Sequence, residues 1–197
     1  GQFCSGIKRV FVPDALYDAT CEALARAAAR VRLGDGFDPD SVIGPLQNRM
    51  QFERVVELTR EALAAGGRAL VGGAPLDRPG YFFPATVVAG LQEGVRLVDE
   101  EQFGPVMPVL RYGSLDEALA RANDSPYGLG GSIWTRDPER GAQVAQRLDC
   151  GTAWVNQHGA LHVSTPMPLV KESGLGIEFG VQGLVEFTQR QVINVRT

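Results

Sequence analysis

Gly130-Gly131-Ser132-Ile133-Trp134, then Asp137-Pro138 with a helix-spaced run to Leu148, then Thr152-Ala153-Trp154-Val155, reads as strand, helix, strand. Asp137 is a helix-capping residue, since its carboxylate can accept from an orphaned N–H of the first turn, and Pro138 stands where no N–H is needed. Strands that alternate with helices of this length imply a mostly parallel sheet with helices on both faces, an α/β fold.

The alternation continues toward the N-terminus. Ser114, three residues before Glu117, forms a capping box ahead of Ala118-Leu119-Ala120. Val106–Tyr112 is a strand in which Pro108 suggests an edge or a bulge, because proline cannot donate to a ladder. Tyr81 to Val88 reads as extended structure interrupted by Pro84, and Ala69-Leu70-Val71 as a short strand. Pro45 opens a helix carrying Phe52, Val55, Val56, Leu58 and Leu63 that ends at Gly66-Gly67. Before it, Phe37 to Gly44 is an Asp-, Pro- and Gly-rich loop. Pro13-Asp14 starts an alanine-rich helix reaching about Arg32, stopped by Gly34-Asp35-Gly36, and Ile7–Val12 is the first strand.

Toward the C-terminus, Asn156 to Gly180 loses periodicity in Gly, Pro, Ser and His, a length that suggests a binding loop. Gln191-Val192-Ile193-Asn194-Val195 is an apolar strand with no turn to return it to its own domain, so it can pair with the sheet of a neighbouring subunit. Residues 1–188 thus form one domain and 189–197 an oligomerisation strand.

A chain of 197 residues with 44% apolar content can bury one substantial core. Its formal charge of -4, with basic residues dispersed among acids, supplies no surface for nucleic acid, and no apolar run approaches the roughly 18 residues of a membrane span. Three cysteines, Cys4, Cys21 and Cys150, form no CxxC pair, and their odd number argues for a reducing, cytoplasmic setting. His158 and His162 stand in a non-helical region without a further ligand, so no metal site is expected.

Two segments bear candidate chemistry. Cys4 follows a small, flexible turn. It is either a nucleophile toward a carbonyl carbon, with Gly1 and Gly6 aiming backbone amides at the developing oxyanion, or a buried structural thiol. Cys21 and Cys150 take the structural reading. Asp99-Glu100-Glu101-Gln102-Phe103-Gly104-Pro105 is either a solvated acidic loop or a site where one carboxylate accepts from a vicinal diol such as a ribose while Phe103 faces a planar ring.

Taken together, Gly1-Gln2-Phe3-Cys4 with the Arg9-Val10 strand, Glu100-Glu101-Gln102-Phe103-Gly104-Pro105-Val106, Asn123-Asp124-Ser125-Pro126-Tyr127-Gly128-Leu129, Gly130 to Thr135 and Lys171-Glu172-Ser173-Gly174 resemble the NAD(P)-dependent aldehyde dehydrogenases. The resemblance holds in order and spacing along essentially the whole chain. It implies that Cys4 is the catalytic nucleophile of an enzyme oxidising an aldehyde to a carboxylic acid with NAD or NADP. It implies further that Glu101 holds the nicotinamide ribose, that Phe103 lies beside the nicotinamide, and that Gln51 and Arg54 touch the same ribose. Phe3, Ser5 and Met167 fall at the substrate pocket, and the terminal strand at a homo-oligomer contact.

The family's general-base glutamate, oxyanion asparagine and Rossmann domain precede the cysteine. An isolated chain beginning at Gly1 is therefore expected to be inactive as a dehydrogenase, leaving a cofactor-independent thiol esterase or a non-catalytic assembly fragment as alternatives. The chain also departs from the family's Pro-Phe-Gly-Gly-x-Lys, reading Pro166-Met167-Pro168-Leu169-Val170-Lys171. Leucine and proline cannot adopt glycine's backbone angles, so this loop is expected to run differently or to be disordered.

Overall fold

Successive residues of a strand point to opposite faces, so a strand apolar at every position must be covered on both sides. Val87–Ala89 of β3 (Thr86–Ala89) and Val106–Leu110 of β4 (Val106–Tyr112) are such runs. Val88, Val106 and Leu110 belong to one buried cluster, and Val87, Ala89 and Val109 to another across the sheet.

These strands sit at the centre of a four-stranded sheet whose other members are β1 (Val10–Pro13) and β2 (Arg68–Val71), in the order β1-β4-β3-β2. β4 runs parallel to both neighbours, with Val10 opposite Val109 and Val88 opposite Pro108. β2 is antiparallel to β3, with an irregularity between Ala69 and Val71. One face is covered by α1 (Tyr17–Ala28), which contributes Tyr17 and Cys21, and the other by α2 (Arg49–Ala64), which contributes Val55, Leu58 and Ala62. Each such side chain contributes roughly 1.5–3 kcal/mol through burial, alanine less. Tyr17 pins its face further: its buried hydroxyl donates to Val109 O and accepts from Gly90 N–H, both at 3.0 Å.

The computed structural model describes residues 1–197 and divides into two units, Gly1–Ala118 and Leu119–Thr197. The first also holds α3 (Arg96–Asp99), and the boundary falls within α4 (Leu115–Asn123). In the second, β5 (Gly130–Ile133) and β6 (Thr152–Val155) pair in parallel through α5 (Pro138–Ala145), as the strand–helix–strand reading requires. A short antiparallel pair, β7 (Met167–Pro168) and β8 (Ile177–Glu178), and α6 (Gly180–Val185) complete it.

The caps agree with the sequence. Asp137 accepts from Arg140 N–H at 3.0 Å, Ser114 Oγ from Glu117 N–H at 3.2 Å, and the Glu117 carboxylate from Gly113 N–H at 3.0 Å. The boundaries differ in several places. The first helix starts as a 3-10 turn at Asp14–Leu16 and ends at Ala28, with tighter turns carrying the chain to Val31 before Arg32 O accepts from Val42 and Ile43 N–H. α2 begins at Arg49 rather than at Pro45: Leu46 N–H donates to Tyr81 O, and Asn48 caps the helix by accepting from Gln51 N–H at 2.9 Å. α5 stops at Ala145 and reaches Leu148 only through tighter turns.

Pro108 corrects a sequence expectation outright, since it lies on the interior strand β4 and is fully buried. Its missing N–H removes one rung, about 1 kcal/mol, which burial of β4 on both faces outweighs. Regular strand structure near Tyr81 starts only at Thr86. In the loop bearing Pro168-Leu169, Met167 and Pro168 pair with Glu178 and Ile177, and Leu169 N–H donates to Gly176 O at 3.2 Å. Residues 189–197 carry no hydrogen-bonded strand, and Val192, Ile193 and Val195 are exposed. A strand exists only with a partner to ladder against, and nothing within this chain supplies one.

Candidate active site

Phe3 to Gly6 form a tight turn, closed by Gly6 N–H donating to Phe3 O at 2.8 Å. The turn buries Ser5 and leaves Cys4 exposed. Glycine is needed at its end, since a Cβ at Gly6 would stand 2.9 Å from Phe3 O. Because that bond occupies the Gly6 amide, Gly6 shapes the turn rather than supplying an oxyanion donor, which corrects that part of the sequence reading. Gly1 serves close packing: a Cβ there would lie 2.5 Å from the Gly104 carbonyl. The cysteine turn is thereby seated against the segment that follows Phe103.

That segment is the second half of the site. The three acids preceding it separate by partner. Asp99 accepts from Gly94 N–H at 2.7 Å. Glu100 is clamped by Arg96 at 2.7 Å and by Arg54 at 3.2 Å, and its hydrogen bond to Arg96 holds its carboxyl below the usual carboxylate range. Glu101 is exposed at the rim of a cleft of about 160 Å³, lined also by Phe3, Lys8, Phe103 and Met107. Of the acidic run, Glu101 is the residue that lines this cleft.

Phe103 adopts φ 43°, the left-handed region that an aromatic L-residue rarely occupies. Such a conformation costs of order 1 kcal/mol and persists only where neighbours over-determine it. They do so here. Gln51 Nε2 donates to Gln102 O at 2.6 Å and to Phe103 O at 3.2 Å, while Arg54 donates to Glu101 O at 3.0 and 3.2 Å. Gln51 and Arg54, which the resemblance assigns to the ribose itself, thus direct these donors at the backbone of residues 101–103 and hold it in shape.

Two groups passed over in the sequence support the same backbone. Gln102, almost fully buried, donates through Nε2 to Val106 O. Lys8 donates through Nζ to Leu97 O at 3.1 Å and to Gln102 Oε1 at 3.4 Å. Burial, assisted by neighbouring Arg9, pushes the Lys8 ammonium down to about 8 against the opposing fields of Asp99, Glu101 and Glu100. A compositional signal was available for Lys8: of nineteen basic residues only Lys8 and Lys171 are lysines.

Met167 belongs to the second unit, on β7, where it is buried. His158 Nδ1 lies 3.1 Å from Ser132 Oγ and His162 Nδ1 2.7 Å from Ser164 Oγ, and no cluster of three or more metal-ligating side chains exists. No helix is long and apolar enough to cross a membrane.

Residues 1–193 match the model of the aldehyde dehydrogenase family. The chain belongs to that family. It is 34% identical to retinal dehydrogenase 2 of Mus musculus over 196 residues, covering 100% of this chain and 38% of that protein. It is 38% identical to betaine aldehyde dehydrogenase of Cereibacter sphaeroides, covering 99% and 40% respectively. Among solved structures, an NAD+ complex of aldehyde dehydrogenase from Bacillus cereus superposes with a TM-score of 0.91 at 36% identity, over 96% of this chain and 38% of that one. Betaine aldehyde dehydrogenase from Staphylococcus aureus with NAD+ gives 0.89 at 33%, over 100% and 42%. This aldehyde dehydrogenase chain therefore spans about two fifths of the length of the relatives it matches.

Proposed function

We propose that this chain is the nucleophile-bearing part of an NAD(P)-dependent aldehyde dehydrogenase, with Cys4 attacking the aldehyde and Glu101 and Phe103 receiving the nicotinamide riboside. The observation that carries the reading is the exposed Cys4 turn packed by Gly1 against the strained Phe103 segment, at whose cleft Glu101 is the exposed carboxylate. The cleft suits the cofactor's riboside end: a carboxylate at its rim can accept from two vicinal hydroxyls, and Phe103 offers a half-exposed ring to a planar heterocycle.

In this mechanism the Cys4 thiolate adds to the carbonyl carbon, giving a thiohemiacetal whose oxygen carries the former π pair. When bound, the cofactor supplies a two-electron acceptor for the hydride on that carbon. Loss of the hydride leaves a thioester on Cys4, which water cleaves to the carboxylic acid. Gln51 and Arg54 keep the 101–103 backbone in register throughout, and Phe3 and Ser5 are assigned to the aldehyde's surroundings. Homo-oligomer formation through residues 189–197 fits their exposed apolar side chains, and a cytoplasmic setting fits three unpaired thiols.

The 197 residues alone are expected not to reduce NAD or NADP with any aldehyde. A chimera that extends them with the complementary part of the Bacillus cereus relative is expected to do so and to lose at least about a hundredfold in rate on Cys4→Ala. Full turnover in the alanine chimera overturns the nucleophile assignment, and Cys4-dependent NADH formation by the 197-residue chain overturns the division of labour. A second reading, acyl transfer from activated esters, is favoured by the exposure of Cys4, since that chemistry needs no hydride acceptor. Cofactor-insensitive ester hydrolysis that disappears in Cys4→Ala distinguishes it.

A further inference from the structure

Lys8 stands in the wall of the cleft that Phe3, Glu101 and Phe103 line, with most of its side chain withdrawn from water. No carboxylate bonds its Nζ. The hydrogen-bond partners of that atom are the neutral oxygens of Leu97 and Gln102, at 3.1 and 3.4 Å. Arg9 adds a like charge next in the chain, while Asp99, Glu100 and Glu101 act from the acidic segment. The other lysine differs on each count: Lys171 Nζ lies 3.0 Å from the Asp149 carboxylate and also donates to Asn123 O at 2.7 Å. A neutral-partnered amine in a cleft with two aromatic side chains has a use that an ion-paired one lacks. It can present a lone pair to an electrophile.

We propose that Lys8 is a covalent carbonyl-binding site, at which small aldehydes entering the cleft are held reversibly as an imine on Nζ. The Nζ lone pair forms a bond to the carbonyl carbon as the C=O π pair moves to oxygen, and a proton transferred from nitrogen gives a carbinolamine. The oxygen, protonated again, departs as water while the nitrogen lone pair closes the C=N bond. Amine and aldehyde become imine and water with no change of oxidation state, so no oxidant or reductant is required. In its protonated form the imine keeps one N–H, enough to retain the bond to Leu97 O. With the ammonium lowered to about 8, about half of Lys8 is free amine at pH 8, against about 0.3% for an ordinary lysine. Reduced basicity gives back part of that advantage, so an excess of about tenfold or more in rate remains.

The inference uses neither Cys4 nor a cofactor, so its failure leaves the proposed function standing. The test is reductive trapping. The 197-residue chain, its thiols blocked, is incubated with butanal and cyanoborohydride at several pH values, and butylation is read by peptide mass spectrometry. Fragment ions separate Lys8 from the Gly1 α-amine, and Lys171 is the internal reference. The expected result is at least about tenfold faster butylation of Lys8 than of Lys171, with a rate profile that bends near pH 8, both differences vanishing in urea. Equal rates at the two lysines in the folded chain, or an advantage for Lys8 that survives unfolding, overturns the proposal.

Discussion

Replacing Gln51 by glutamate changes one NH₂ group to oxygen and little else in shape, yet it reverses the sense of two contacts. Gln51 Nε2 donates to Gln102 O at 2.6 Å and to Phe103 O at 3.2 Å, so in Gln51→Glu a carboxylate oxygen faces two carbonyl oxygens. Two hydrogen bonds of about 0.5–1.5 kcal/mol each are lost, and the acceptors left facing one another add about 1–3 kcal/mol. Because Gln51 is only partly buried, water relieves some of this, and a net loss of about 2–4 kcal/mol at pH 7 is expected. The penalty depends on pH. Repulsion raises the folded-state pKa of the new carboxyl above its unfolded value of about 4.3, so the cost is smallest below that value, where a protonated carboxyl can donate once, and grows as pH rises through the folded-state pKa. Gln51→Leu removes the donor without adding charge, and its cost relative to the native chain is expected to be flat with pH.

Both tryptophans, Trp134 and Trp154, belong to the second unit, so fluorescence does not report on this site. Hydrogen exchange of peptides from β3 and β4, followed through urea unfolding at pH 7 and pH 4.5, does. The reasoning is refuted if Gln51→Glu is no less stable than Gln51→Leu at pH 7, or if the gap between them fails to narrow at the lower pH. Where the fold survives, the Phe103 backbone loses the Gln51 donors and keeps those of Arg54, and binding of a nicotinamide nucleotide by the assembled enzyme is expected to fall with it.

Other outcomes follow from the packing. Gly151→Ala places a Cβ 1.7 Å from the Pro168 carbonyl, a backbone atom that cannot swing aside; a loss of about 2 kcal/mol or more is expected, and an unchanged melting curve by tryptophan fluorescence would rule it out. Thiol titration of the folded chain is expected to proceed in the order Cys4, Cys150, Cys21, because exposure falls in that order and burial pushes the latter two thiols up; reaction of Cys21 before unfolding contradicts the core assignment.

What the sequence made legible was local. Asp137-Pro138 and Ser114 with Glu117 announce helix starts because a side-chain oxygen and a waiting N–H lie within three residues of each other, and both pairs form. The Val-rich runs of β3 and β4 announce burial because no alternating pattern could leave them half wet. What failed was non-local. Pro108 argued for an edge on local grounds, but its place in the middle of the sheet depends on β1 pairing with β4 across about a hundred residues, which no window of sequence contains. The same holds for α2, whose start is set by Leu46 reaching Tyr81, and for Gly6, whose amide is consumed by the turn it closes.

The site divides along the same line. Cys4, Glu101 and Phe103 were singled out through the family resemblance, since a lone thiol or an acidic run read by itself leaves a structural cysteine and a solvated loop open. Gln51, Arg54, Gln102 and Lys8 act through where their polar ends arrive, on backbone carbonyls and an amide oxygen contributed by α3 and the 101–106 segment. This distinction explains why a left-handed Phe103 is tolerated. Its strain is of order 1 kcal/mol, and donors drawn from β1's approach and from α2 converge on the segment with several times that in hydrogen bonds. The 101–103 backbone is thus held by the chain's own donors, so a ligand that used this cleft as proposed would not have to order the segment that lines it.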